Sequence, residues 1–157
     1  MSLDLDNAVR GLFKGLERPL TRGACLVHVK AKVVLRGSRA SRELVALVDT
    51  GASMTVIDSS LADELGVEFT GKERTLITAS GQKLVGRVAI VKELVVEGEA
   101  LDYERVLVLS FNDDVKRLLR DLGADPTIIL GVTTLESAGL VPDLVTGRLK
   151  KVGLMLL

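Results

Sequence analysis

Asp49 stands directly after the apolar run Leu44-Val45-Ala46-Leu47-Val48 and directly before Thr50-Gly51-Ala52. An ionised carboxylate at the end of so apolar a strand costs several kcal/mol unless something compensates it. Thr50 and Gly51 suit a tight turn whose N–H groups and hydroxyl can serve that carboxylate, and Ala52 lets a neighbouring chain approach closely. These four residues fit a structural reading, an aspartate capping a turn after a strand. They fit equally a carboxylate held ready for chemistry. One such chemistry is phosphoryl transfer through an aspartyl phosphate, but that site needs further carboxylates to hold magnesium, and Gly51 occupies the nearby position.

Other reactive groups are sparse. The single Cys25 and single His28 cannot assemble a His/Cys zinc site or an internal disulfide, so no metal and no cofactor is expected and the chain suits a reducing compartment. His28 has no nucleophile context and reads as a solvated imidazole. Residues 66–72, Gly-Val-Glu-Phe-Thr-Gly-Lys, match most of a phosphate-binding loop. Glu73, however, replaces the magnesium-binding hydroxyl, and the segment follows a helix where the motif must open one.

The elements that must position Asp49 follow from periodicity. Val27, Val29, Ala31, Val33 and Leu35 alternate with His28, Lys30 and Lys32, the pattern of a strand with one wet face. Residues 43–48 form a second strand ending at the aspartate. A short helix follows, capped by Ser59 or Ser60, with Leu61 and Leu65 on one face and Gly66 past its end. Residues 74–79, 82–96 and 101–109 read as strands in consecutive hairpins, turning at Ser80-Gly81 and Gly98-Glu99. Asn112 caps a helix with the stripe Val115, Leu118, Leu119, Leu122. Residues 127–130 form a short strand ending at Gly131, and Thr133 with Glu136 has capping-box spacing for a last short helix that stops at Gly139. The tail from residue 144 resembles a hairpin through Thr146-Gly147, and its apolar end, residues 154–157, calls for a partner. Ahead of all this, Leu5, Val9, Leu12, Phe13 and Leu16 make an amphipathic helical stripe, so residues 1–22 read as an N-terminal extension of one domain at 23–157.

Composition narrows the function. The 157 residues are 47% apolar and 27% charged, with 21 basic residues balancing 21 acidic ones, as in one globular domain. Such a length buries roughly two-thirds of the unfolded surface. Zero net charge and 3% aromatic residues remove the electrostatic and stacking terms that nucleic-acid binding needs. An acidic start without a signal peptide's basic flank, and the lack of a long apolar run, predict a cytoplasmic protein with no membrane partner.

Leu47-Val48-Asp49-Thr50-Gly51-Ala52, followed about eighty residues later by Ile129-Leu130-Gly131 and a short helix, resembles the retropepsin-like aspartic proteases. The resemblance covers roughly residues 23–157, with its elements in the family's order. It implies a mostly β fold, a closed retropepsin-like barrel forming half of an acid protease, with short helices. It implies catalytic roles for Asp49, Thr50 and Gly51, and substrate contacts from Ala52, from the flap residues Ala79, Ser80 and Gly81, and from Gly131. Thr50 would bridge two subunits, and residues 154–157 would enter an intersubunit sheet.

Peptide hydrolysis by this chemistry needs two carboxylates sharing one proton. The chain holds a single Asp-Thr-Gly and no Asp-Ser-Gly. The second acid must come from Asp49 of a twofold-related copy, which predicts a homodimeric endopeptidase acting on peptide or protein substrates. The rival expectation is a module of the same fold that dimerises or binds extended peptides without cleaving them.

Overall fold

The computed structural model describes residues 28–77 and 81–153. The anticipated N-terminal helix, Cys25, the flap-tip residues Ala79 and Ser80, and residues 154–157 lie outside the described residues.

Among the described residues, nine strands and three short helices follow one another. β1 (Lys30–Arg36) and β2 (Ser41–Val48) form an antiparallel pair, with Lys30 opposite Leu47 and Arg36 opposite Ser41. β3 (Val56–Asp58) leads into α1 (Ser59–Leu65). β4 (Glu68–Ile77), β5 (Lys83–Val96) and β6 (Glu99–Leu109) make the consecutive hairpins that the turn residues predict. α2 (Asp113–Asp121), β7 (Ile128–Leu130) and α3 (Val132–Ala138) follow, and β8 (Leu140–Asp143) pairs with β9 (Arg148–Lys151) in a separate hairpin.

The main sheet runs β1-β2-β7-β3-β6-β5-β4, and β1 pairs with β5 as well as with β2. That second pairing closes six strands into a barrel and leaves β4 as an arm on β5. The fourteen-residue β5 makes this possible, since its first half pairs with β4 and its second half with β1, while β6 runs along both. Closure removes the free edges that β1 and β5 would otherwise expose. Two pairings, β2 with β7 and β3 with β6, are parallel without being a βαβ sheet.

Strand alternation sorts the core into two clusters. Val33, Leu35, Ala46, Val91, Leu94, Ile128 and Leu130 point to one side with Leu61, Leu65 and Leu135 of the helices. Leu47, Val56, Val88, Leu107 and Ile129 point to the other, where Val115 and Leu119 of α2 cover them. β7 is buried on both faces, which accounts for its unbroken Ile-Ile-Leu sequence. Each fully buried Leu or Ile contributes about 1.5–3 kcal/mol.

Several local expectations are corrected. α1 is capped by Asp58, whose carboxylate takes the Ser60 N–H, and not by Ser59 or Ser60. α3 begins one residue before Thr133, with Gly131 at its N-cap and no capping side chain; the Thr133 hydroxyl instead donates to the Ser53 carbonyl at 2.8 Å. The β5–β6 turn falls at Glu97-Gly98, one residue early, because Glu97 takes a positive φ and Glu99 already pairs with Val96. His28 lies on the expected face but is only half exposed, and its Nδ1 is covered without a partner. The phosphate-loop look-alike spans the end of α1 and the start of β4, the reverse of the context that motif requires.

Candidate active site

β2 delivers Asp49 between two buried strands. Its N–H donates to the Leu130 carbonyl of the parallel β7 at 2.9 Å, which extends the β2–β7 ladder by one bond past Val48. The Ala52 N–H returns to the Asp49 carbonyl at 3.1 Å, so residues 49–52 form a tight turn. Within it the Gly51 N–H donates to Asp49 Oδ1 at 2.8 Å. Asp49 Oδ2 is buried and takes no hydrogen bond from any described residue. Burial pushes the carboxyl pKa above its ordinary value, and the Gly51 N–H draws it partly back.

The segment after the turn is clamped to β7 and α3. The Val132 N–H donates to the Ala52 carbonyl (2.8 Å) and the Thr133 N–H to the Ser53 carbonyl (3.0 Å). Thr55 is fully buried. Its hydroxyl pairs with that of Thr134 at 2.7 Å and accepts the Gly131 N–H at 3.1 Å. Gly131 is glycine for a steric reason: a Cβ there would lie 2.3 Å from the Met54 carbonyl carbon and 2.7 Å from the Thr55 nitrogen. The aspartate loop can therefore thread against residue 131 only if that residue lacks a side chain.

The structure thus brings Asp49, Gly51, Ala52 and Gly131 into one constellation. Thr50 is exposed, and its hydroxyl does not serve the carboxylate; that part of the expectation falls to the Gly51 N–H alone. Gly81 has a positive φ of 83° and open space around it at the base of the β4–β5 hairpin tip. Ile77 and Val85 beside that tip are 70% and 58% exposed.

The family model for aspartyl proteases matches residues 31–134, from the first strand into the first turn of α3. The chain belongs to the aspartyl protease family. Among solved structures, a retropepsin-like aspartic protease from Rickettsia conorii is similar over 74% of this chain and 84% of its own, at 22% identity and a TM-score of 0.45. No curated protein matches. As a member of this protease family, the chain places the Asp-Thr-Gly turn and the Ile-Leu-Gly segment in direct backbone contact, and both lie within the matched span.

Sequence reasoning missed Thr55 and Thr134, whose hydroxyls meet across 79 positions. Only the position of Thr55, six residues after Asp49 and directly before Val56-Ile57, hinted at a buried hydroxyl. It also missed Asp58, which is 3% exposed and fully partnered by the Phe111 N–H (2.7 Å), the Ser60 N–H (3.1 Å), the Ser60 hydroxyl and, at 3.9 Å, Lys116 Nζ. Among the described residues no group of three or more His, Cys, Asp or Glu side chains could hold a metal ion. No described helix is long and apolar enough to cross a membrane.

Proposed function

We propose that the chain is a homodimeric aspartic endopeptidase whose water is activated between the Asp49 carboxyls of two copies. The observation that carries this reading is the state of Asp49. One oxygen is held by Gly51, the other is buried and unserved, and the pKa is raised. A carboxyl in that condition is suited to sharing a proton with a second acid, as peptide hydrolysis of this type requires. Within the chain, Asp58 does not offer itself as that second acid, because its own partners already satisfy it.

In the dimer one Asp49 takes a proton from a water lying between the pair, while the other, protonated, donates a hydrogen bond to the scissile carbonyl and then helps protonate the leaving nitrogen. The two titrate as one unit, so the roles belong to the pair. Gly51 keeps the carboxyls oriented through its N–H. Thr50, exposed beside them, would face the partner subunit, and Ala52, Ala79, Ser80, Gly81 and Gly131 would contact an extended peptide held under the β4–β5 hairpin. Residues 23–157 would be the catalytic domain and residues 1–22 an extension of it. A cytoplasmic setting fits the single cysteine.

The test combines mass in solution with digestion of casein by native and Asp49→Asn protein. A dimer that cleaves, with the variant inert, is expected. A strictly monomeric protease would overturn the shared-acid mechanism. A dimer that binds peptides but never cuts them would favour the non-catalytic module.

A further inference from the structure

A cavity of about 430 Å³ opens beside the aspartate loop, lined by Met54, Arg74, Val88, Tyr103, Glu104, Arg105 and Thr133. Asp49 is not among its walls, so it lies outside the carboxylate centre while sharing Met54 with the loop that leaves it. Strand register explains the grouping. Arg74 of β4 pairs with Gly86, Val88 pairs with Leu107, and Arg105 of β6 pairs with Ile90. Residues 86, 88 and 90 of β5 share one face, so both arginines stand on that face, from the two strands that flank β5. Gly86 keeps the floor clear: a Cβ there would lie 2.5 Å from the Leu107 side chain.

The charges in this cavity are unbalanced. Arg74 and Arg105 are exposed, and neither makes an ion pair or hydrogen bond with any described residue. Glu104 is the one acid in the wall; it pairs with neither arginine, and the Thr134 hydroxyl donates to its carboxylate at 3.4 Å. Burial raises the Glu104 pKa, with the Thr134 bond opposing. Tyr103 adds an aromatic rim, 74% exposed and held at a positive φ of 54°, an uncommon backbone state for a residue with a side chain.

We propose that this cavity receives an acidic side chain of the peptide substrate, several residues away from the bond that is cut. The idea rests on the proteolytic reading above and deepens it. A guanidinium presents a planar fork of donors that matches a carboxylate, and two unpaired forks over an apolar floor select Glu or Asp over their neutral amides. Thr133, bonded to the Ser53 carbonyl, and Met54 place the cavity next to the loop that leaves Asp49.

The experiment uses the full-length protein and sets of degenerate octapeptides in which one position at a time is fixed as Glu or as Gln. At one outer position the Glu set should be cut about fivefold faster than the Gln set, the upper range for a partly exposed ion pair. In the Arg74→Gln/Arg105→Gln double variant that ratio should fall to about one, and in Glu104→Gln it should rise. No preference at any position, or a preference that survives loss of both arginines, overturns the proposal. If native protein cuts neither set, the hydrolytic reading fails. The cavity is then judged on Asp49→Asn protein, by ultrafiltration and mass spectrometry of retained peptides. Retention of Glu over Gln peptides that disappears in the double variant upholds the site, and equal retention overturns it.

Discussion

Asp49 and Asp58 are nine positions apart in sequence, each at the end of a strand, each followed by a short polar residue, and they are opposite in kind. Asp58 is 3% exposed, and both of its oxygens are served, by two backbone N–H groups, a hydroxyl and Lys116. Asp49 is half exposed, has one oxygen served, and carries a raised pKa. A buried acid that is fully partnered holds a fold together; one left partly unserved by its own chain stores reactivity. On the proposed function, Asp58 is the structural carboxylate and Asp49 the candidate reacting one.

The largest expected effect breaks the pair on the functional side. Asp49→Asn should lower peptide cleavage by about a thousandfold or more, because the neutral amide can neither accept the water's proton nor share one. The folded structure should persist, as read by circular dichroism and melting temperature. If activity survives at more than a tenth of native, Asp49 is not the reacting acid.

Asp58→Ala should do the reverse. It leaves the Phe111 N–H without its acceptor, uncaps α1 and strands Lys116, a loss of about 2–4 kcal/mol measured by urea unfolding. Activity per folded molecule should stay near native, since nothing in the Asp49 turn touches Asp58. Equal damage to both quantities would merge the two residues into one role.

Gly131→Ala sits between these extremes. The new Cβ would meet the Met54 and Thr55 backbone at 2.3–2.7 Å, and only a displaced aspartate loop could relieve that overlap. Overpacking of this kind costs about 1–3 kcal/mol. A loop moved by about 1 Å costs about a hundredfold in rate. Both stability and cleavage should therefore fall, and a variant that loses one without the other would show that the Gly131 contact does not position Asp49.

How much of this was legible depends on range. Gly66 and Gly139 mark helix ends at αL positions, and Val33, Leu35 and Ala46 show their buried face by alternation, because those signals are local. The Asp49 turn could be anticipated because an aspartate after an apolar strand is conspicuous, whereas its contact with the Gly131 segment was implied only by the resemblance to the retropepsin-like proteases. β3 could not be anticipated, since three residues are too few to display a period, and with it went the cap role of Asp58. The Thr55–Thr134 hydroxyl pair and the β1–β5 closure join residues about sixty to eighty positions apart, and nothing in either segment alone specifies its partner.

The smallest effect is also the sharpest test of the contrast. Burial raises the Asp49 pKa in the folded chain above its unfolded value, so the folded state holds that proton more tightly. Asp49 therefore favours folding below the unfolded pKa, and that contribution disappears as pH rises through the raised folded value. Melting temperatures of native and Asp49→Asn protein, compared from acidic to neutral pH, should diverge by a few degrees, with the native protein losing ground to the variant as pH rises. A carboxyl whose ionised form the fold stabilised would behave in the opposite sense, gaining on its amide as it ionises. If native protein gains on Asp49→Asn with rising pH, the fold stabilises the ionised form of Asp49, and the reading of that carboxyl as a poised acid fails.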